Sequence, residues 1–256
     1  QHPTDRVISE KIMKMEAFQK ALQFISKNSI EKQIRIIYSS SYAQLTPENS
    51  PVIFKMLEEA AELWDVSVLP EVYIKRCYPM MATIEGMEKP IIMISTTFLE
   101  SMSEQELWGV LASEMAGIKN GFCTIKFVEK LCSSSQGLLP DVITGPLQLA
   151  FRNWHKYAQY SFDRANLIAT GDFNTTMRNT LLGETSNEIL GGISFDDPNC
   201  DYMKQCREFL NNEDKLTGSI RNINSVFLDN PYYASRYIEL FKFYQTEYYD
   251  LIEDYM

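Results

Sequence analysis

The chain has 256 residues, of which 45% are hydrophobic and 12% aromatic, and this is enough apolar material to build a large folded core. Its net charge of −10 argues against a nucleic-acid-binding protein, because such a protein needs a basic face. Only two histidines, His2 and His155, are present, which leaves little material for histidine chemistry. No run of about 18 uncharged apolar residues occurs, so the sequence predicts no transmembrane helix.

The cysteines and the first residue bear on the cellular compartment. The five cysteines are an odd number without a CxxC spacing, which predicts reduced thiols rather than a zinc ribbon or a thioredoxin-type site. A disulfide between Cys200 and Cys206 stays open, since nothing in the sequence favours it. We interpret the start at Gln1 as a trimmed N-terminus and predict a cytoplasmic protein, with a signal or anchor segment left open.

The first hundred residues are predicted to contain two helices and three strands. Apolar residues recur at helical spacing in two segments, and β-branched residues cluster in three others. The predicted helices span residues 8–27 and 52–65, and the predicted strands span residues 33–40, 71–77 and 90–95.

Helix is predicted for most of the remaining chain, beginning with a capped helix. Ser103 and Glu106 have the spacing of a capping box. The apolar stripe of the helix that they open contains Glu114, and a carboxylate there is costly unless it is paired or functional. Glu114 lies at the edge of the stripe, pairs with Arg164 or Arg236, or has a functional role, and the spacing leaves these alternatives open.

A second long helix is predicted from residue 147 to about residue 169. His155, Gln159 and Asp163 follow each other at intervals of four residues, so they share one face of this helix. Polar groups near the apolar faces of two helices predict a shared pocket. The alternative is a solvated face with one structural hydrogen bond from His155.

The C-terminal segment, residues 231–256, is predicted to be a single tyrosine-rich helix. It contains seven of the fourteen tyrosines, which occupy most of its circumference, so not all can face one core. Tyrosine is favoured at interfaces, which makes a homo-oligomer through this helix one hypothesis. The sequence as a whole predicts one α+β domain, residues 1–256, with a small early sheet followed mainly by helix.

Several motifs resemble the zinc metallopeptidases that include HtpX and the CAAX prenyl proteases. In that family a helix contains Ala-His-Glu-Leu-Gly-His-Ile-Lys-Asn-Gly-His, where this chain reads Ala112-Ser113-Glu114-Met115-Ala116-Gly117-Ile118-Lys119-Asn120-Gly121-Phe122. Four further segments resemble family elements in the same order, so that the resemblance covers residues 2 to about 243. They are residues 2–6, 79–86, 158–165 and 229–236.

The resemblance implies a zincin-type domain with an edge strand that binds an extended peptide. The corresponding strand residues are Met81, Ala82, Thr83 and Ile84, and the partner would be a peptide or a protein segment added to this edge.

The resemblance also places the family's three zinc ligands at Ser113, Gly117 and Gln159. None of these is a credible zinc ligand, so we expect no zinc cofactor. Glu114 retains the position of the general base, although without zinc that role would be vestigial. Asp163 and Arg236 retain two further positions of the family's site.

Three hypotheses for the function follow. The first is a catalytically inactive pseudo-metallopeptidase that keeps the scaffold and binds a peptide or protein partner. The second is a peptidase or hydrolase with a rebuilt site made of Glu114, Asp163 and Arg236, with or without His155. The third is an interaction protein that works through its tyrosine-rich C-terminal helix.

Overall fold

A computed structural model describes residues 1–76, 82–134, 137–182, 192–213 and 233–255. These residues are mostly helical and contain one small four-stranded sheet, so the predicted α+β class is confirmed. The strands are β1 (Ala43–Leu45), β2 (Glu71–Lys75), β3 (Ala82–Glu85) and β4 (Ile91–Ser95). The described helices are α1 (Pro3–Lys14), α2 (Glu16–Lys27), α3 (Ile30–Ser41), α4 (Pro51–Trp64), α5 (Thr96–Ser101), α6 (Glu104–Lys119), α7 (Phe122–Cys132), α8 (Asp141–Thr170), α9 (Phe173–Leu181), α10 (Asp201–Glu213), α11 (Tyr233–Thr246) and α12 (Tyr248–Tyr255).

The sheet has the strand order β1-β2-β4-β3, so β3 lies at one edge. Strands β2 and β4 are parallel, whereas β1 and β3 are antiparallel to their neighbours. Every residue of β4 is buried, which agrees with its uninterrupted apolar sequence. In the register of β3 against β4, Thr83 lies opposite Met93.

The predicted strand at residues 33–40 is wrong, because this segment lies within helix α3. Its isoleucines favoured a strand, but their burial follows a helix, with Tyr38 buried and Ile36 and Ile37 exposed. An ion pair of 2.9 Å between Arg35 and Glu31, one helical turn apart, also stabilises the helix.

Three predicted helices have different boundaries in the structure. The helix predicted over residues 8–27 is two helices, because Met15 is extended (ψ 134°) and ends α1 while opening α2. Helix α8 begins at Asp141 rather than at residue 147 and contains Pro146 in its second turn. The C-terminal segment forms α11 and α12 with a break at Glu247, and residues 231 and 232 lie outside the described residues.

Helices α6 and α8 form the centre of the main hydrophobic core. They approach closely at Gly109, where a Cβ atom would lie 2.5 Å from Asn166 Oδ1, so a larger residue there would require the Asn166 side chain to shift. A second cluster of buried side chains joins the end of α8 to α9, α10, α11 and α12 and includes Phe173 and Tyr237. Tyr248 is also buried there, whereas Tyr249 is 56% exposed.

The four cysteines within the described residues are free thiols, so Cys200 and Cys206 form no disulfide. Burial raises the pKa of Cys132 to about 11 and that of Cys206 to about 12, which keeps both thiols protonated at neutral pH. None of the described helices is long and apolar enough to cross a membrane.

Candidate functional site

A cavity of about 490 Å³ lies between the edge strand β3 and helices α6, α7, α8, α9 and α11. It brings together most of the residues that the sequence singled out, although they come from segments far apart in the chain. The predicted site residues that line it are Ala82, Thr83, Ile84, Ser113, Glu114, His155, Gln159, Asp163 and Arg236. Gly117 is not among its lining residues, and Met81 lies outside the described residues.

Glu114 is a buried carboxylate, with a residue exposure of 6%. Among the described residues, no donor lies within hydrogen-bond distance of its Oε2 atom. Burial raises the pKa of Glu114, and the nearby Lys126 opposes this shift only in part. The alternative that Glu114 pairs with Arg164 or Arg236 is wrong, since Arg164 lies 3.3 Å from Glu247 and Arg236 binds a different carboxylate.

Within the described part of the chain, Lys126 of helix α7 supplies the positive charge closest to Glu114. Its Nζ atom lies 3.9 Å from Glu114 Oε2, a separation that exceeds a hydrogen bond. The same ammonium group lies 3.4 Å from Thr83 Oγ1 and 4.4 Å from the centre of the Phe162 ring. The side chain is thus anchored at β3 and α8 and faces Glu114 across a short gap.

Asp163 and Arg236 form the tightest ion pair of the cavity. Arg236 donates from Nε to Asp163 Oδ2 at 2.9 Å and from Nη2 to Oδ1 at 2.5 Å, and Thr180 donates to Oδ1 as well. Such a bidentate contact holds both side chains in place. His155 lies 3.6 Å from Glu129 on α7, so three of the four residues of a rebuilt hydrolytic site have partners other than Glu114.

The residues at the three presumed ligand positions do not fit zinc. Ser113 Oγ donates a hydrogen bond of 2.8 Å to the carbonyl of Val110, and Gln159 offers a neutral amide. A Cβ atom at Gly117 would lie 2.6 Å from Ile84 Cδ1 and 2.7 Å from a ring carbon of Phe162. Another side chain therefore fills the space that a ligand at residue 117 would need.

Sequence reasoning did not predict Lys126 or several other polar groups of the cavity, among them Glu85 and Asn179. Lys130 donates to Glu85 Oε2 at 2.7 Å, which leaves Oε1 buried without a partner. Asn179 donates from its amide nitrogen to Glu106 and Asn166, which leaves Oδ1 buried without a partner. A charged residue on the predicted strand was a usable signal for Glu85. Asn179 gave none, because its place in the cavity depends on how α9 packs against α6.

Comparisons of the chain with protein-family models, with curated proteins and with solved structures found no match. The resemblance to the zinc metallopeptidases therefore stays a prediction that rests on the quoted motifs. Within the described part of the chain, no group of three or more His, Cys, Asp or Glu side chains is arranged to hold a metal ion. The site is thus defined by its own geometry: an edge strand, a cavity and a set of buried hydrogen-bond acceptors.

Proposed function

We propose that this chain is a catalytically inactive relative of the zinc metallopeptidases that binds an extended peptide, or an extended segment of a partner protein, beside strand β3. The observation that carries the proposal is the double role of β3. This strand is the edge of the sheet, and its residues Ala82, Thr83 and Ile84 also form a wall of the cavity. A peptide added to the edge would therefore have a cavity beside it for its side chains.

Strand addition suits this edge for a simple physical reason. Among the described strands, β3 pairs only with β4, and a strand with one partner has backbone donors and acceptors available on its other side. A peptide that pairs there gains main-chain hydrogen bonds, while alternate side chains point towards opposite faces. Phe98, Val110 and Phe162 give the cavity apolar surface for such a side chain.

The proposal assigns no bond-breaking step to the site. Zinc would lower the pKa of a bound water from about 15.7 to about 7, and the side chains at residues 113, 117 and 159 do not supply ligands for it. Without zinc, Glu114 would have to deprotonate an ordinary water molecule, which is a far weaker acid. Asp163 and Arg236 are hydrogen-bonded to each other. We therefore expect binding without turnover.

The test uses fluorescein-labelled peptides Ala-Thr-X-Thr-Ala, with X either glutamine or methionine, and measures fluorescence anisotropy with the full chain. Binding of at least one peptide is the expected result. Methylation of the backbone nitrogens at alternate residues should weaken binding by about ten-fold in one alternation but not in the other, since only one set faces the strand. Equal effects of the two methylation patterns would contradict strand addition.

A matched pair of variants locates the peptide on the protein. Thr83→Trp places a large side chain at the cavity wall of β3, whereas Gln44→Trp places it on β1 at the opposite edge of the sheet. Only Thr83→Trp should abolish peptide binding. Loss of binding in both variants, or release of labelled peptide fragments by the wild-type protein, would overturn the proposal.

A further inference from the structure

The gap between Glu114 and Lys126 has a hydrogen-bond acceptor on one side and a donor on the other. It therefore suits a neutral group that both donates and accepts hydrogen bonds. No residue that the structure describes donates to the buried Glu114 Oε2, and Lys126 Nζ is a donor 3.9 Å away. The two atoms are too far apart to bond directly, so each leaves bonding capacity unused. Leaving a buried acceptor unpaired costs free energy, which a ligand that supplies the missing donor would recover.

The charge balance of the cavity indicates an uncharged ligand. Lys130 faces Glu85, Arg236 faces Asp163, and Lys126 faces Glu114. With Lys75 and Glu129, which also line the cavity, the numbers of cationic and carboxylate side chains among the described lining residues are equal. A cationic ligand at Glu114 would be repelled by Lys126, and an anionic ligand at Lys126 would be repelled by Glu114.

The geometry of the gap favours a primary carboxamide over a trans peptide group or a thioether. A primary carboxamide presents one N–H and its carbonyl oxygen on the same side, so it bridges an acceptor and a donor that lie side by side. A trans backbone peptide group points its N–H and carbonyl in opposite directions and cannot form this bridge. A thioether has no donor, and an alcohol donates and accepts through one oxygen atom, which would have to lie within hydrogen-bond distance of both groups at once.

We propose that the cavity recognises a primary carboxamide, such as a glutamine or asparagine side chain, whose NH₂ group donates to Glu114 and whose carbonyl oxygen accepts from Lys126. The proposal rests on the proposed function in that the carboxamide would belong to the peptide beside β3. Lys126 is already held by Thr83 and by the face of Phe162, so its donor is positioned before the ligand arrives.

The first test uses butyramide alone, without any peptide, and follows backbone amide resonances of the full chain by NMR titration. Butyramide should shift resonances of residues around Glu114 and Lys126. Butyrate, butylammonium and N,N-dimethylbutyramide, which change the charge or remove the N–H donors, should bind at least about ten-fold more weakly. Equal shifts with N,N-dimethylbutyramide, or no shift with butyramide, would overturn the proposal.

The second test compares the pentapeptides with glutamine, glutamate, lysine or methionine at the central residue. Glutamine should bind about ten-fold more tightly than methionine, because methionine leaves Glu114 unpaired. Equal binding of the glutamine and methionine peptides would overturn the carboxamide site while leaving strand addition intact. Butyramide binding with no peptide binding would instead contradict the proposed function and support the carboxamide site.

Two variants assign the preference to the two side chains. Glu114→Leu removes the acceptor and should abolish the preference for glutamine, whereas Glu104→Leu, the same change at an exposed residue of α6, should retain it. The double variant Glu114→Leu/Lys126→Met removes both polar groups without leaving a buried charge, so it guards against misfolding of the single variant. A glutamine preference that survives in the double variant would refute the assignment.

Discussion

Glu114 is a buried carboxylate, so the free energy of unfolding depends on whether it is ionised and therefore on the pH. Burial raises its pKa in the folded protein above the ordinary value of 4.5. Just above pH 4.5 the folded protein therefore binds more protons than the unfolded chain, so this group makes the free energy of unfolding fall as the pH rises. The free energy of unfolding of Glu114→Leu, measured by urea unfolding relative to wild type, should therefore increase as the pH rises from about 4.5 to about 7.

Glu104→Leu serves as the control for this pH dependence. Glu104 is exposed at the start of α6, so its replacement makes the same change of residue without removing a buried carboxylate. A constant stability difference between wild type and Glu114→Leu across the pH range would show that Glu114 has an ordinary pKa.

The close packing around Gly117 leads to a specific prediction about rebuilding a metal site. The triple variant Ser113→His/Gly117→His/Gln159→Glu supplies two histidines and a carboxylate, but its side chain at residue 117 would collide with Phe162. We expect zinc to bind much more tightly after Phe162→Ala is added, which isothermal titration calorimetry measures. Phe162→Ala alone is the control and should bind no zinc at this site. Tight zinc binding by the triple variant would mean that Phe162 moves aside freely.

The sequence alone predicted that Gln159 and Asp163 share one face of a helix, because helical spacing fixes which residues share a face. It also predicted a pocket shared with the helix that carries Glu114. It did not predict Lys126, since the spacing within α7 says nothing about which helix face meets β3. That arrangement depends on long-range packing, which a single sequence does not display.

At the scale of elements, α6 depends on its capping box. Ser103 Oγ accepts from the backbone N–H of Glu106, and the Glu106 carboxylate accepts from the backbone N–H of Ser103. Ser103→Ala should lower the free energy of unfolding by about 1 kcal/mol, measured by urea unfolding, because it leaves a helix donor unpaired. Ser103→Gly should cost only a few tenths of a kcal/mol. Equal losses in the two variants would indicate that the cap contributes through packing instead.

The predicted elements failed where local preference and tertiary burial disagreed. Residues 33–40 have the composition of a strand, yet the helix buries Tyr38 and allows Arg35 to bind both Glu31 and Glu71. By contrast, β2, β4 and α6 were predicted within a few residues, since the β-branched runs or the capping box in their sequences agree with their burial. Met15 breaks a helix without disturbing the apolar spacing, so periodicity could not reveal that break.

For the molecule as a whole, helix α8 links the two groups of buried side chains. Leu147 near its start is part of the main core, whereas Leu167 near its end is part of the second cluster. A continuous helix shared by two clusters favours cooperative unfolding, as expected for one domain. The three tryptophans report on the main core, and the Cys206 thiol reports on the second cluster.

Phe173→Ala tests this coupling. Phe173 is 2% exposed, so its truncation should lower the free energy of unfolding by about 3–5 kcal/mol. The urea midpoints of tryptophan fluorescence and of Cys206 labelling should fall together. Leu149→Ala, at a side chain that is 69% exposed, should leave both midpoints nearly unchanged. Labelling of Cys206 well before the fluorescence change would indicate two independently folding units.

The position of Lys126 has a consequence for how the site responds to its surroundings. A metal ion binds reversibly from solution, so the occupancy of a metal centre depends on the metal concentration, on chelators and on competing ions. The ammonium group beside Glu114 is covalently part of the chain, made with it and retained for as long as it remains folded. Every folded copy therefore carries this amine beside Glu114, independent of metal supply.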